Sequence, residues 1–161
     1  MTLRDIAPDD TTGRVPCGML GGVAMRFTKI EALGNDFVLI EVAEQPSRCD
    51  ALARAVCDRR RGVGADGLLL LFAGEGRARG SAAAADARVE VWNADGSEAE
   101  TSGNGLRCAA RWLAARGRAR AVREGADRQA AGREVAILTR AGLATIRVSD
   151  AAGGPVRVPL G

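Results

Sequence analysis

The stretch that most constrains this chain is Trp92-Asn93-Ala94-Asp95-Gly96-Ser97-Glu98-Ala99-Glu100-Thr101-Ser102-Gly103-Asn104-Gly105-Leu106-Arg107-Cys108. Upstream of it, Ala87 to Trp92 alternates apolar and polar residues, the pattern of a half-buried strand. Asn93 to Gly96 supplies turn chemistry, because Asn, Asp and Gly tolerate left-handed backbone. From Leu106 the chain reads as a helix, with Leu106, Ala109, Ala110 and Leu113 on one face and Gly117 as the stop. The helix then starts at Ser102-Gly103-Asn104. Its first N–H groups have no acceptor inside the helix and carry the positive end of its dipole. Gly103 and Gly105 leave those groups open to close approach, so the terminus can hold a carboxylate or phosphate. Asn93 and Asn104 could add side-chain donors and acceptors. Taken alone, the same residues also describe an ordinary capped helix with Ser102 as N-cap.

Composition narrows the classes. The chain has 161 residues, enough for one domain with a real core, and 47% hydrophobic with 27% charged residues is ordinary for a globular protein. No apolar run reaches bilayer-spanning length. The net charge of +3 is spread as Arg through Ala/Arg/Gly stretches, and 3% aromatics with no Tyr leave little for base stacking. Neither a nucleic acid nor a membrane is expected as partner. Cys17, Cys49, Cys57 and Cys108 form no C-x-x-C pair and there is no His, so no metal site is expected. The thiols read as free in a reducing, cytoplasmic setting, with Cys57 and Cys108 as small buried apolar residues.

Residues 1–24 show no usable periodicity and no signal-peptide pattern. They read as a disordered, dispensable extension or a mis-assigned start. Arg26 to Ala32 and Phe37 to Val42 read as strands flanking a turn insert, Leu33-Gly34-Asn35-Asp36. Ser47 to Arg60 reads as a helix capped by Ser47 or Asp50, with Leu52, Ala55 and Val56 inward. Gly62-x-Gly64-x-x-Gly67 has the look of a phosphate loop, but it follows a helix and precedes a strand, the reverse of a dinucleotide loop. Leu68 to Phe72 is a buried strand. Ala73 to Asp86 reads as an exposed connection, and Arg118 to Gly132 as low-complexity sequence with partial helical character. Glu134 to Thr139 and Leu143 to Val148 form a hairpin, and Pro155 to Gly161 starts another extended piece.

Three of these stretches together resemble the diaminopimelate epimerase family. They are Phe27-Thr28-Lys29-Ile30 leading to Leu33-Gly34-Asn35-Asp36-Phe37, then Asp58 to Gly67, then Asn93-Ala94-Asp95-Gly96-Ser97-Glu98 with Ser102-Gly103-Asn104-Gly105-Leu106-Arg107-Cys108. The resemblance covers Met25 to about Gly161. It implies an α+β fold, a mixed β-sheet or barrel wrapped around a central helix, as one of two pseudo-symmetric domains. The chain divides accordingly into 1–24, an N-terminal domain over 25–132, and opening strands of a second domain over 133–161. It further implies cofactor-independent conversion of LL- to meso-2,6-diaminopimelate. Asn35, Asn93, Gly103 and Asn104 would bind the amino-acid end, and Ser102 would stand at the catalytic position.

The family usually places a cysteine where Ser102 stands, and some members carry a Gln where Gly67 stands. A serine is a poor substitute for a thiolate base, but its hydroxyl can donate a proton directly or through a water. Lys29, the only lysine, lies early in a strand, which makes a pyridoxal Schiff base a poor reading. No cofactor is therefore expected. The second catalytic motif is not within residues 133–161, so the chain is expected to be inactive alone. A related isomerase or dehydratase with altered chemistry and a non-catalytic remnant are the competing readings. A homodimer is expected by analogy.

Overall fold

The computed structural model describes residues 12–15, 25–74, 85–123, 131–149 and 156–158. In chain order the elements are β1 (Thr12–Val15), β2 (Met25–Ala32), β3 (Asn35–Glu41), α1 (Cys49–Cys57), β4 (Gly67–Ala73), β5 (Ala87–Asn93), β6 (Glu98–Ala99), α2 (Gly103–Ala115), β7 (Arg120–Arg123), β8 (Ala131–Thr139), β9 (Gly142–Ser149) and β10 (Val156–Arg157). The ten strands of the described residues form one mixed sheet in the order β1-β2-β3-β4-β5-β8-β9-β10, with β6 on β5 and β7 on β8. Pairing is antiparallel except for β3 with β4 and β5 with β8. The sheet curls around α2, so the expected α+β architecture is the observed one.

Alternation along the central strands builds two cores, because successive side chains leave opposite faces of a strand. Phe37, Leu39, Leu69, Leu71, Val89 and Val91 face α2 and meet Leu106, Ala109, Ala110 and Leu113. Val38, Ile40, Leu68, Leu70 and Phe72 face the other way and meet Leu52, Ala53 and Val56 of α1. That two-sided burial explains why β4 reads as an unbroken apolar run. Val135, Ile137, Ile146 and Val148 of the β8–β9 hairpin complete the α2 core. Residues expected to open a second domain thus lend their described part to the same sheet and helix.

Helix α2 ends as its sequence suggests. Gly117 has φ +71°, and the N–H groups of Gly117 and Arg118 reach back to the carbonyls of Ala114 and Leu113. Buried Trp112 donates its indole N–H to Thr28 Oγ1 at 3.1 Å, locking the helix to β2.

Several local expectations change. The turn between β2 and β3 is only Leu33-Gly34, both at positive φ, which suits a two-residue hairpin; Asn35 is already in the strand opposite Ala32. Helix α1 is shorter than expected, its N-cap is Arg48 without a side-chain bond, and Ala53 rather than Ala55 points inward. Arg120–Arg123, expected to have helical character, is a strand, because β8 offers it a ladder through Arg120↔Glu134. Within residues 1–24, Thr12–Val15 is a strand paired with β2; the rest of that extension, and most of the 73–86 connection, lie outside the described residues.

Candidate active site

The amide cluster lies at one end of the sheet. β3 and β4 both start there and β5 ends there, in the register Phe37↔Gly67↔Asn93. Alternation puts Asn35, Gly67 and Asn93 on the α2 face of these strands, where helix α2 begins.

Ser102 is half-buried, has extended backbone (φ −143°, ψ 117°) and caps the helix through Oγ, which accepts the Gly105 N–H at 3.1 Å. Its carbonyl accepts the Leu106 N–H at 2.8 Å. The N–H groups of Gly103 and Asn104 remain, with no acceptor inside the helix. No acidic side chain occupies the first turn, so the positive end of the dipole is not neutralised from within. The two glycines differ in purpose. A Cβ on Gly105 would press on Leu69 Cδ2 at 3.1 Å and Ser102 Cβ at 3.2 Å, so Gly105 lets the first turn lie on β4. Among the described residues, a Cβ on Gly103 would meet only Arg107 Nη1, at 3.7 Å, so they leave that side of the helix end open.

Asn104 is held from both sides. Its Nδ2 donates to Asn35 Oδ1 at 3.1 Å and its Oδ1 accepts from Arg107 Nη1 at 3.4 Å. The first of these bonds uses Asn35 Oδ1 as its acceptor. Asn93 is different. Its Nδ2 donates to Ser97 Oγ at 2.9 Å, while its backbone N–H and C=O close the same turn with Ser97 and Gly96. The structure therefore brings Asn35, Ser102, Gly103 and Asn104 together, and leaves Asn93 at the same sheet end but bonded into its own turn. Arg107 escaped the sequence reading; its only signal was i,i+3 spacing from Asn104 on one helix face.

Cys57, Cys108 and Lys29 lie away from this cluster. Burial pushes the Cys108 thiol up to about 12 and the Cys57 thiol up to about 11. Both are core residues, and neither replaces Ser102. Lys29 points to the other side of the sheet, paired with Asp36 at 3.0 Å. A separate cavity of about 700 Å³, lined by Arg26, Thr28, Glu41, Trp112 and Arg116, lies at the opposite end of α2. The Gly-rich loop is consumed structurally: the N–H groups of Gly62, Val63, Gly64 and Ala65 all bond carbonyls at the end of α1, between Val56 and Asp58. It has no free amide row to offer a phosphate.

An open helix N-terminus with Asn35 bonded to Asn104 beside it suits a carboxylate or another small anion. The diaminopimelate epimerase family model matches residues 27–161. The chain belongs to that family. It is 52% identical over 95 residues to a diaminopimelate epimerase of Desulforudis audaxviator, covering 58% of this chain and 31% of the relative. The diaminopimelate epimerases of Alkalilimnicola ehrlichii and Synechococcus elongatus are 42% identical over 138 residues and 36% over 144, each covering 85% of this chain but 43% and 47% of the relative. The chain thus spans between about a third and a half of the length of these epimerases. No helix among the described residues is long and apolar enough to cross a membrane.

Proposed function

We propose that this chain supplies one half of a cofactor-independent amino-acid epimerase site acting on 2,6-diaminopimelate, between its LL and meso forms. The observation that carries the reading is the open start of α2, with unneutralised N–H groups at Gly103 and Asn104 beside the Asn35–Asn104 bridge. In this reading the α-carboxylate lies on those amides, Asn35 Nδ2 donates to it, and Asn93 joins by turning out of its bond to Ser97. The helix dipole and the amides stabilise the charge that grows on the carboxylate as the α-proton leaves.

Ser102 stands where the reacting proton would be handled. Its Oγ already accepts the Gly105 N–H, which leaves the hydroxyl hydrogen to donate. No His exists, and Lys29 is engaged on the other face of the sheet, so neither a histidine nor the lysine activates Ser102 as a base. It suits the proton-delivering role, with the opposing proton removed by a group from a second lobe. Substitution of the family's usual cysteine is the observation favouring the second reading, an isomerase or dehydratase of related fold with one-base chemistry. The setting we propose is cytoplasmic, with the protein as a homodimer; sedimentation velocity tests the dimer.

The test is a titration of isotope-labelled protein with LL-diaminopimelate, against 1,5-diaminopentane, which has the same spacing of amines without carboxylates. Amide shifts at Asn35, Gly103 and Asn104 with the first compound alone are expected; equal response to both, or none, defeats the reading. In heavy water the 161-residue chain by itself is expected to exchange no substrate α-proton, and measurable exchange would overturn the two-lobe mechanism.

A further inference from the structure

Behind the amide cluster, on the far face of the sheet, four charged side chains interlock. Asp36 follows Asn35 directly in β3, so alternation sends its side chain away from α2. Its two carboxylate oxygens take the Arg59 guanidinium in a fork, at 3.1 and 2.8 Å. Arg59 also reaches Asp66 Oδ1 at 2.8 Å, and Lys29 lies 3.0 Å from Asp36 Oδ2. Asp36 and Asp66 then exchange backbone bonds. The Asp36 N–H donates to Asp66 Oδ2 at 3.1 Å, and the Asp66 N–H is shared between Asp36 Oδ1 at 3.0 Å and the Asp36 carbonyl at 2.9 Å.

The parallel ladder between β3 and β4 begins at Phe37↔Gly67, so Asn35 lies beyond its last rung on that side. The clasp continues the junction past that rung. Without cations between them the two carboxylates would repel each other and part the strand starts. Gly64 lets the arrangement close: at φ +79°, a Cβ there would sit 3.0 Å from Arg59 Cα, and Gly64 accepts a hydrogen bond from Lys29.

We infer that Asp36, locked by Arg59 and Asp66, is a positioning residue that fixes Asn35 from behind, so that Asn35 meets Asn104 and presents Nδ2 to the ligand. This inference rests on the reading of the cluster as the amino-acid site. Burial raises the Asp36 pKa, but its bonds to Arg59, Lys29 and Asp66 outweigh this and hold the carboxyl well below the usual range, in keeping with a permanently charged clasp.

The experiment compares Arg59→Met, Asp36→Asn and Arg59→Lys with Arg118→Gln, which breaks the exposed Arg118–Glu41 pair elsewhere on the sheet. Backbone order parameters are measured without ligand, and LL-diaminopimelate affinity separately. In Arg59→Met and Asp36→Asn the Asn35 order parameter should fall from about 0.85 to below about 0.6. Affinity should weaken by about tenfold, with a melting temperature no lower than that of Arg118→Gln by more than a few degrees. Arg59→Lys, which keeps charge but loses the fork, should recover part of the order. An Asn35 that stays rigid in both disrupting variants overturns the inference, as does loss of order spread evenly through the sheet. If one variant fails to fold, the other decides. A wild-type protein that ignores diaminopimelate defeats the proposed function instead, and the ligand-free order parameters still decide on the clasp.

Discussion

Asn104 on α2 donates to Asn35 on β3 at 3.1 Å, across 69 positions of sequence, and so ties the start of the helix to the start of the strand. The contact is exposed, and such a bond contributes about 0.5–1.5 kcal/mol to stability. Asn104→Ala should therefore lower the melting temperature by only a few degrees while removing the amide response to LL-diaminopimelate. A thermal melt and the titration, run on the same sample, check both halves.

Gly103 separates folding from binding more sharply. A Cβ there meets nothing closer than 3.7 Å, and Ala is a better helix residue than Gly by up to about 1 kcal/mol. Gly103→Ala should be at least as stable as wild type by calorimetry. In the proposed binding mode the added methyl crowds the helix end that the carboxylate would occupy, so diaminopimelate binding should weaken at least tenfold.

Ser102 contributes as cap and as reactive position. Ser102→Ala loses the bond to Gly105 N and should cost about 1 kcal/mol, read by denaturant midpoint. Ser102→Cys places a thiol at a helix N-terminus, where its pKa should fall below the usual ~8.5. At pH 8 that cysteine should alkylate quickly with iodoacetamide, whereas Cys57 and Cys108, pushed up to about 11 and about 12 by burial, should resist in the native protein.

The loop glycine at 62 is a packing requirement. Its Cβ would lie 2.2 Å from the Ala55 carbonyl oxygen and 2.6 Å from that of Val56, both rigid backbone. Gly62→Ala should destabilise by about 3 kcal/mol or more, a large value for one methyl group. Gly74→Ala is the comparison: no described atom lies within 4 Å, its φ of +76° opposes a side chain, and about 1 kcal/mol is expected.

Acid should expose the Asp36 clasp. A carboxyl whose folded pKa is depressed stabilises the fold above its unfolded value, here 3.8, and that contribution fades as pH falls through the lower folded value. Asp36→Asn should thus be less stable than wild type at neutral pH by a margin that persists to about pH 4 and closes only in stronger acid. A margin that disappears between pH 7 and 5 would point to another group.

Much of the fold was legible because its periodicities are local. The alternation of Ala87 to Trp92 and the 3.6-residue spacing of Leu106 to Leu113 each reflect one face meeting one core, and both elements appear where expected. Arg120 to Arg123 was not legible, since its strand state depends on a ladder with Glu134 and Arg133 that local composition does not announce. Ser102, Gly103 and Asn104 were legible as a helix start. Asn93 stands at the expected sheet end, but its bond to Ser97 is a turn contact that residue type alone does not choose.

By itself the sequence determined the strand–turn–helix order, the two-sided burial of Leu68 to Phe72 and the open amide end of one helix, because capping and amphipathic spacing act over a few residues. Tertiary structure alone decided that Asn35 faces Asn104 while Asp36, its neighbour, faces Arg59 and Asp66. Strand alternation sends adjacent residues to opposite faces, and only the register of β3 against β4 and the docking of α2 say which face holds the site.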